Sequence, residues 1–121
     1  MSDSTLPSPI DPASIATLRA IGGGDATFVV EIVQMFREDT PPNLDELDAS
    51  AARGDANRLA KVAHGLKGSA ANFGARRFRT LAEHIEAIAK GGALSDAPAA
   101  IAALREEYQR VITALDALPP A

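Results

Sequence analysis

One histidine in this sequence has neighbours that could support chemistry on its ring. His64 is followed one helical turn later by Lys67, and each of these two residues is followed directly by a glycine, Gly65 and Gly68. A neutral imidazole is a nucleophile, and its ordinary pKa of about 6.5 leaves it mostly neutral at pH 7. A nearby ammonium group can then hold an anionic group that the imidazole has accepted. These residue types favour group transfer at His64, with Lys67 stabilising the transferred anion.

The helical period predicts that His64 points into solvent. Positions on the helix that we predict over residues 56–72 turn by about 100° per residue. The apolar residues that fall opposite His64 are Leu59, Val62, Leu66, Ala70 and Phe73. The residues that fall within roughly 60° of it are Asn57, Ala60, Lys61, Lys67, Gly68 and Ala71. We predict that this second group forms a surface on which a partner binds.

Two glycines lie inside the same predicted helix, away from either end. Each should cost about 1 kcal/mol of helix stability relative to alanine. Gly68 shares the face of His64, so its missing side chain leaves room beside the imidazole for a partner. Gly65 lies nearer the edge of the core, where a close helix crossing would explain it equally well.

The charge of the chain is unevenly distributed. Residues 53–79 contain seven basic residues and one acidic residue, a charge of +6, whereas the whole chain has a charge of −4. Arg76 and Arg77 open the next predicted helix, where the positive end of the helix dipole disfavours cations. We therefore predict that this segment, including Arg76, Arg77 and Lys61, faces an acidic partner surface.

Composition narrows the class of protein. A chain of 121 residues suits one compact domain. The absence of cysteine excludes disulfides, thiolate metal sites and cysteine nucleophiles. No apolar run approaches the roughly 20 residues that span a bilayer, and the N-terminus does not resemble a signal sequence. We expect a cytoplasmic protein that does not bind membranes.

Proline, glycine and helix-capping residues predict a leader over residues 1–10 and a domain over residues 11–118. Asp11-Pro12 opens a short helix that ends before Gly22, and Asp25 caps the next helix. Thr40-Pro41-Pro42 predicts a break, with Thr40 capping a new helix. The initiating methionine and polar leader favour a free-standing protein over the end of a longer one.

The second half of the chain contains three further predicted helices. Gly74 is expected to end the helix of His64 in a left-handed conformation. The next helix covers residues 75–90 and stops at Gly91-Gly92, and Ser95 or Asp96 caps the last one. No segment alternates with the period of a strand. Short connections favour an all-α, antiparallel up-and-down four-helix bundle with one or two accessory N-terminal helices.

The stretch His64-Gly65-Leu66-Lys67-Gly68-Ser69, followed by Gly74-Ala75, resembles the signature of histidine-containing phosphotransfer (HPt) domains. That signature is His-x-Leu-Lys-Gly-Ser/Ala with a later Gly-Ala. Further similarity lies at Phe36, Leu81, Ile85-Glu86 and Gly91, and it covers about residues 10–108. The twelve residues from 64 to 75 are the specific part of the resemblance.

The resemblance implies a phosphorelay intermediate without ATP binding or autokinase activity. His64 would accept a phosphoryl group from a receiver-domain aspartate of a hybrid sensor kinase and pass it to the receiver of a response regulator. Lys67 would stabilise the phosphoryl group and Gly68 would give the partner access, whereas Ser69, roughly 140° from His64, is interpreted as structural. No cofactor or metal is expected in this chain, because Mg²⁺ belongs to the receiver. We expect a monomer.

Related domains of chemotaxis-type kinases add a histidine and a glutamate from the next helix, which hydrogen-bond the phospho-acceptor. The corresponding positions here hold Glu83 and Glu86, so that network is not carried over intact and the role of these two residues is left open. His84 is one position away and is interpreted as a surface histidine.

Three other interpretations compete with phosphotransfer. A metal site could use His64, His84 and Glu83, but the spacing lacks the His-Glu-x-x-His or Glu-x-x-His pattern of metal-binding helices. Nucleic-acid binding could use the basic segment, but the chain is acidic and poor in aromatic residues for stacking. A helical adaptor without phosphotransfer is the main alternative, and it predicts that His64→Gln leaves every activity intact.

Overall fold

The computed structural model describes residues 8–118, and this part of the chain is all-α with no strand. The helices are α1 (Pro12–Ile21), α2 (Ala26–Ala52), α3 (Ala56–Ala71), α4 (Arg76–Gly91) and α5 (Ala97–Asp116), with a short 3-10 turn at Leu94–Asp96 before α5. The predicted all-α fold is confirmed. Most of the predicted leader, residues 1–7, and the predicted terminator Pro119-Pro120 lie outside the described residues.

Four long helices surround the core. Helix α3 packs against α2 and α4, and α5 packs against α4 and α2, so the packing order closes on itself. Helix α1 packs against α2 and is the single accessory helix. This arrangement matches a four-helix bundle, while the up-and-down course expected from the short connections stays a prediction.

An aromatic cluster joins the helices at the centre of the core. The ring of Phe36 on α2 contacts Phe73, Phe78 and Tyr108, with centroids 5.2, 5.7 and 5.6 Å apart. Phe73 lies just after α3, Phe78 lies on α4 and Tyr108 lies on α5. Edge-on and tilted aromatic contacts add stability beyond the area they bury. The surrounding core is aliphatic, as the scarcity of aromatic residues requires.

The predicted break at Thr40-Pro41-Pro42 is wrong, because α2 continues through both prolines. Thr40 does not cap a helix but lies buried within α2. Pro41 has no N–H to donate to the carbonyl of Arg37 four residues earlier, a loss that normally kinks or breaks a helix. The hydroxyl of Tyr108 on α5 donates to that carbonyl instead, at 3.2 Å. A hydroxyl from α5 therefore replaces one of the hydrogen-bond donors that the prolines remove from α2.

Aspartate side chains cap three of the helices, and two of these caps, Asp11 and Asp25, were predicted. Asp11 accepts from the N–H of Ala13, and Asp25 accepts from that of Thr27. Asp55 does the same for α3, at the N–H of Arg58. The predicted cap of α5 is correct in its position and wrong in its hydrogen bond. Asp96 occupies the N-cap position, but its side chain makes no capping hydrogen bond. The 3-10 turn at Leu94–Asp96 leads directly into α5 instead.

The turn after α3 holds α1 beside the helix of His64. Gly74 has a left-handed φ of +62°, and an added Cβ there would approach Asp11 and Ser14 to 2.5 Å. The N–H of Asp11 donates to the carbonyl of Phe73 at 2.9 Å. Ile10, which the sequence assigns to the leader, is buried in the core.

Candidate functional site

The imidazole of His64 is exposed in the middle of α3. Its side chain is 68% exposed, whereas Leu66 and Phe73 on the opposite side are buried. This is the orientation that the helical period of α3 predicts, because an amphipathic helix turns its apolar stripe toward the core. An exposed imidazole on a rigid helix can be reached by another protein.

The surface that surrounds His64 consists of the residues predicted from the helical period. We call it the His64 face and define it as Asn57, Ala60, Lys61, His64, Lys67, Gly68 and Ala71. Asn57, Lys61, Gly68 and Ala71 are exposed, and Ala60 and Lys67 are partly buried. The structure thus brings all seven predicted residues of α3 to one side of the helix.

Glu86 on α4 supports the imidazole from behind. Its Oε2 lies 3.2 Å from Nδ1 of His64. An ionised carboxylate can only accept hydrogen bonds, so a carboxylate this close to Nδ1 favours the tautomer in which Nδ1 carries the proton. In that tautomer the other ring nitrogen, Nε2, carries the lone pair.

Two lysines bind the same carboxylate from different helices. Lys67 on α3 contacts Oε1 of Glu86 at 3.2 Å, and Lys90 on α4 contacts Oε2 at 3.2 Å. Lys67 also lies 3.6 Å from the carboxylate of Glu83. The Lys67 side chain is only 22% exposed because it extends over α4 toward these two carboxylates.

The charge state of Glu86 results from two opposing effects. Burial, the larger single effect, raises the pKa of Glu86 by disfavouring the charged form. The hydrogen bonds from Lys90 and Lys67, together with their positive charges, outweigh burial and hold the pKa below its ordinary value. Glu86 is therefore ionised at neutral pH and presents its negative charge to Nδ1 of His64.

The two glycines of α3 have no packing role. A Cβ placed on either Gly65 or Gly68 would meet no atom within 4 Å outside the neighbouring backbone. The close helix crossing that could have explained Gly65 is therefore absent. Gly68 remains a bare position on the His64 face, with a cost to helix stability that no intramolecular contact explains.

Most of the basic segment finds acidic partners within the chain. Arg53 and Arg58 both bind Glu46, and their hydrogen bonds lower its pKa to about 2. Arg76 lies 3.7 Å from Asp11, and Arg77 lies 3.3 Å from the buried Glu107. These intramolecular pairs give Arg76 and Arg77 a structural reason to occupy the positive end of a helix. Within residues 8–118, Lys61 and Arg79 make no ion pair.

Sequence reasoning did not assign roles to Glu86 or Lys90. The signal for Glu86 is present, since it shares the buried face of α4 with Phe78, Ala82, Ile85 and Ala89. A carboxylate in that position requires a charged partner. Glu83 pairs with Lys67 where chemotaxis-type domains have a histidine, and His84 is exposed as predicted.

Exposed apolar side chains border the His64 face at the end of α3. Ile21 at the end of α1 is 66% exposed, and Met35 on α2 is 57% exposed. Ile21 lines a shallow cleft with Ala71 and Asn72, and Met35 lines a second cleft with Ser69 and Asn72. The His64 face thus continues into an apolar border that α1 and α2 supply.

Within residues 8–118 the structure contains neither a metal-binding cluster nor a membrane-spanning helix. No group of three or more metal-ligating side chains lies close enough together to hold an ion. None of the helices in this range has the length and apolar character needed to span a membrane.

The model of the Hpt domain family matches residues 31–114, which is more than half of the chain. The chain belongs to the Hpt domain family. The matched segment contains α3, α4 and all residues of the His64 face, together with Glu83, Glu86 and Lys90. Comparison with curated proteins yields no match.

A solved structure supports the same conclusion. This Hpt chain is similar to histidine-containing phosphotransfer protein B from Pseudomonas aeruginosa PAO1, with 28% sequence identity and a TM-score of 0.81. The similarity covers 89% of this chain and 91% of the other. Members of the family are phosphate carriers rather than enzymes, and they interact with receiver domains. The chain therefore has a histidine phosphotransfer role in two-component signalling.

Proposed function

We propose that His64 is the phospho-acceptor of a phosphorelay, taking a phosphoryl group from a receiver domain of a hybrid sensor kinase and passing it to the receiver of a response regulator. One observation carries the proposal: an imidazole exposed in mid-helix has its Nδ1 3.2 Å from the carboxylate of Glu86. That contact leaves Nε2 as a nucleophile on the surface.

The transfer moves one phosphoryl group from an aspartate oxygen to the imidazole nitrogen. The lone pair of Nε2 attacks the phosphorus of an aspartyl phosphate, a P–N bond forms, and the P–O bond to the aspartate breaks. The aspartate leaves as a carboxylate. The imidazole gains positive charge while its Nδ1 keeps its proton beside Glu86, whose negative charge compensates. The reverse reaction delivers the phosphoryl group to the second receiver.

Lys67 stabilises the phosphoryl group once it is attached. Its ammonium lies one helical turn from His64 on the same face and is a point charge that can rotate toward an anion. Gly68 keeps the approach to Nε2 open, because no side chain projects beside the ring. Asn57, Ala60, Lys61 and Ala71 form the docking surface for the receiver, with Arg76 and Arg77 at its margin.

The chain acts as a carrier and supplies no cofactor of its own. The receiver supplies the Mg²⁺ and the remaining catalytic groups, so the chain needs neither ATP nor a metal ion. We propose that it works as a cytoplasmic monomer, with the His64 face open to one receiver at a time.

Phosphorylated receiver domains from the same organism provide the test. We expect them to label the wild-type protein, with label that is labile in acid and stable in base, the property of a phosphoramidate. His64→Gln should abolish the label, because an amide nitrogen has no available lone pair. His84→Gln is the matched control, since it removes the other exposed histidine and should keep full labelling. Labelling that survives in His64→Gln would refute the proposal and favour an adaptor.

A further inference from the structure

We propose that Lys90 is a positioning residue, which keeps Glu86 on the imidazole while Lys67 moves to the phosphoryl group. This inference rests on the proposed phosphotransfer at His64. It assigns different tasks to two lysines that bind one carboxylate.

The two lysines bind different oxygens of Glu86. Lys67 contacts Oε1, whereas Lys90 contacts Oε2, the oxygen that also faces Nδ1 of His64. The lysines are therefore not equivalent: Lys90 fixes the oxygen that orients the ring, and Lys67 fixes the other one. The charged groups facing this cluster are His64 and Lys67 from α3 and Lys90 and Glu83 from α4.

Lys67 cannot serve both of its sites fully at once. Before phosphorylation its ammonium is bound to Glu86 and lies near Glu83. A phosphoryl group on Nε2 brings at least one further negative charge, and Lys67 must turn toward it to stabilise it. Glu86, whose side chain is only 12% exposed, then depends on its remaining partners. A carboxylate in that position is costly to leave without a cation.

Lys90 is placed to remain when Lys67 leaves. It lies four residues after Glu86 on α4, so the two side chains are neighbours on one helix face. It also lies in the last turn of α4, where the helix dipole favours a cation. Because the Lys90 side chain is 69% exposed, substitution should not disturb the core.

The test measures the equilibrium level of phosphorylated His64 against a phosphorylated receiver. We expect Lys90→Met to lower the equilibrium constant for phosphorylation about twofold to fivefold, the range for one partly exposed ion pair. Lys90→Arg should restore it. Arg105→Met is the matched control, because it removes the same charge at a site that binds Asp45 and Asp48 instead.

A double-mutant cycle separates this role from general electrostatics. In a Lys67→Met background, Glu86 depends on Lys90 both before and after phosphorylation, so Lys90→Met should change the equilibrium less than it does when Lys67 is present. The ¹⁵N chemical shifts of the His64 ring should show a weakened Nδ1 hydrogen bond in phosphorylated Lys90→Met and an unchanged one in Arg105→Met.

The outcomes distinguish the two proposals. If wild-type protein is labelled on His64 but Lys90→Met behaves like Arg105→Met, the role of Lys90 is refuted and the relay stands. An equal effect of Lys90→Met with and without Lys67 would also refute it, since it indicates long-range charge alone. If wild-type His64 takes no label, both proposals fail.

Discussion

At the scale of single residues, we propose that Gly68 leaves the imidazole accessible at the expense of helix stability. Glycine costs about 1 kcal/mol relative to alanine inside a helix, and at this position there is open space for a Cβ. A residue that serves only the fold would be expected to fill that space. Gly65 has the same cost and the same open surroundings but lies about 100° around α3 from His64.

This difference predicts opposite effects on stability and function. Gly68→Ala should raise the free energy of unfolding by about 1 kcal/mol while slowing transfer from a phosphorylated receiver. Gly65→Ala is the matched control and should stabilise the protein by a similar amount with a smaller effect on transfer. Urea unfolding and transfer rates of both variants provide the comparison. Equal transfer rates would show that Gly68 does not serve partner access.

At the scale of elements, α2 shows how one helix can depend on another. Its two prolines predict a break, yet Ala26–Ala52 is one helix. The hydroxyl of Tyr108 replaces the missing donor at the carbonyl of Arg37, and the ring of Tyr108 packs against Phe36 on the same helix. The contact between α2 and α5 therefore helps α2 to continue through its prolines, which the α2 sequence alone does not predict.

We expect Tyr108→Phe to lower the free energy of unfolding by about 1 kcal/mol, the usual contribution of one hydrogen bond. In a Pro41→Ala background the carbonyl of Arg37 regains a helical N–H, so the same substitution should cost much less. Urea unfolding of the four proteins of this cycle measures the coupling. An identical cost in both backgrounds would mean that the hydroxyl does not compensate for Pro41.

At the scale of the whole molecule, three helices contribute to the surface on which we propose that a partner docks. Helix α3 carries the His64 face, α1 adds Ile21 and α2 adds Met35. Most of the basic side chains around this surface are paired within the chain, so charge alone does not account for docking. Exposed apolar side chains next to a reactive group are typical of the centre of a protein interface.

Met35→Asp should therefore weaken receiver binding by about tenfold, corresponding to roughly 1.4 kcal/mol of lost apolar burial and added desolvation. Val30→Asp is the matched control. Val30 is 61% exposed on the same helix but lies roughly 140° around it from Met35. Titration calorimetry with the receiver would measure both, and equal effects would place the docking surface elsewhere.

The sequence determined the features that depend on near neighbours along the chain. The helices other than α2 begin and end within a residue or two of their predicted limits, because caps, glycines and prolines act locally. The exposure of His64 likewise follows from the period of α3 alone, and so does the composition of the His64 face. The signature of residues 64–75 pointed to the family that the comparison then established.

Only the tertiary structure decided the contacts between helices. Glu86 lies 22 residues from His64 in the chain, and nothing in the local period of α3 indicates that its carboxylate meets Nδ1. The pairing of Arg77 with Glu107 and the support of α2 by Tyr108 also join distant parts of the chain. A side chain's partner depends on how the helices pack, which residue spacing within one helix does not specify. The sequence therefore located the histidine, and the packing of α4 against α3 supplied the carboxylate that orients its ring.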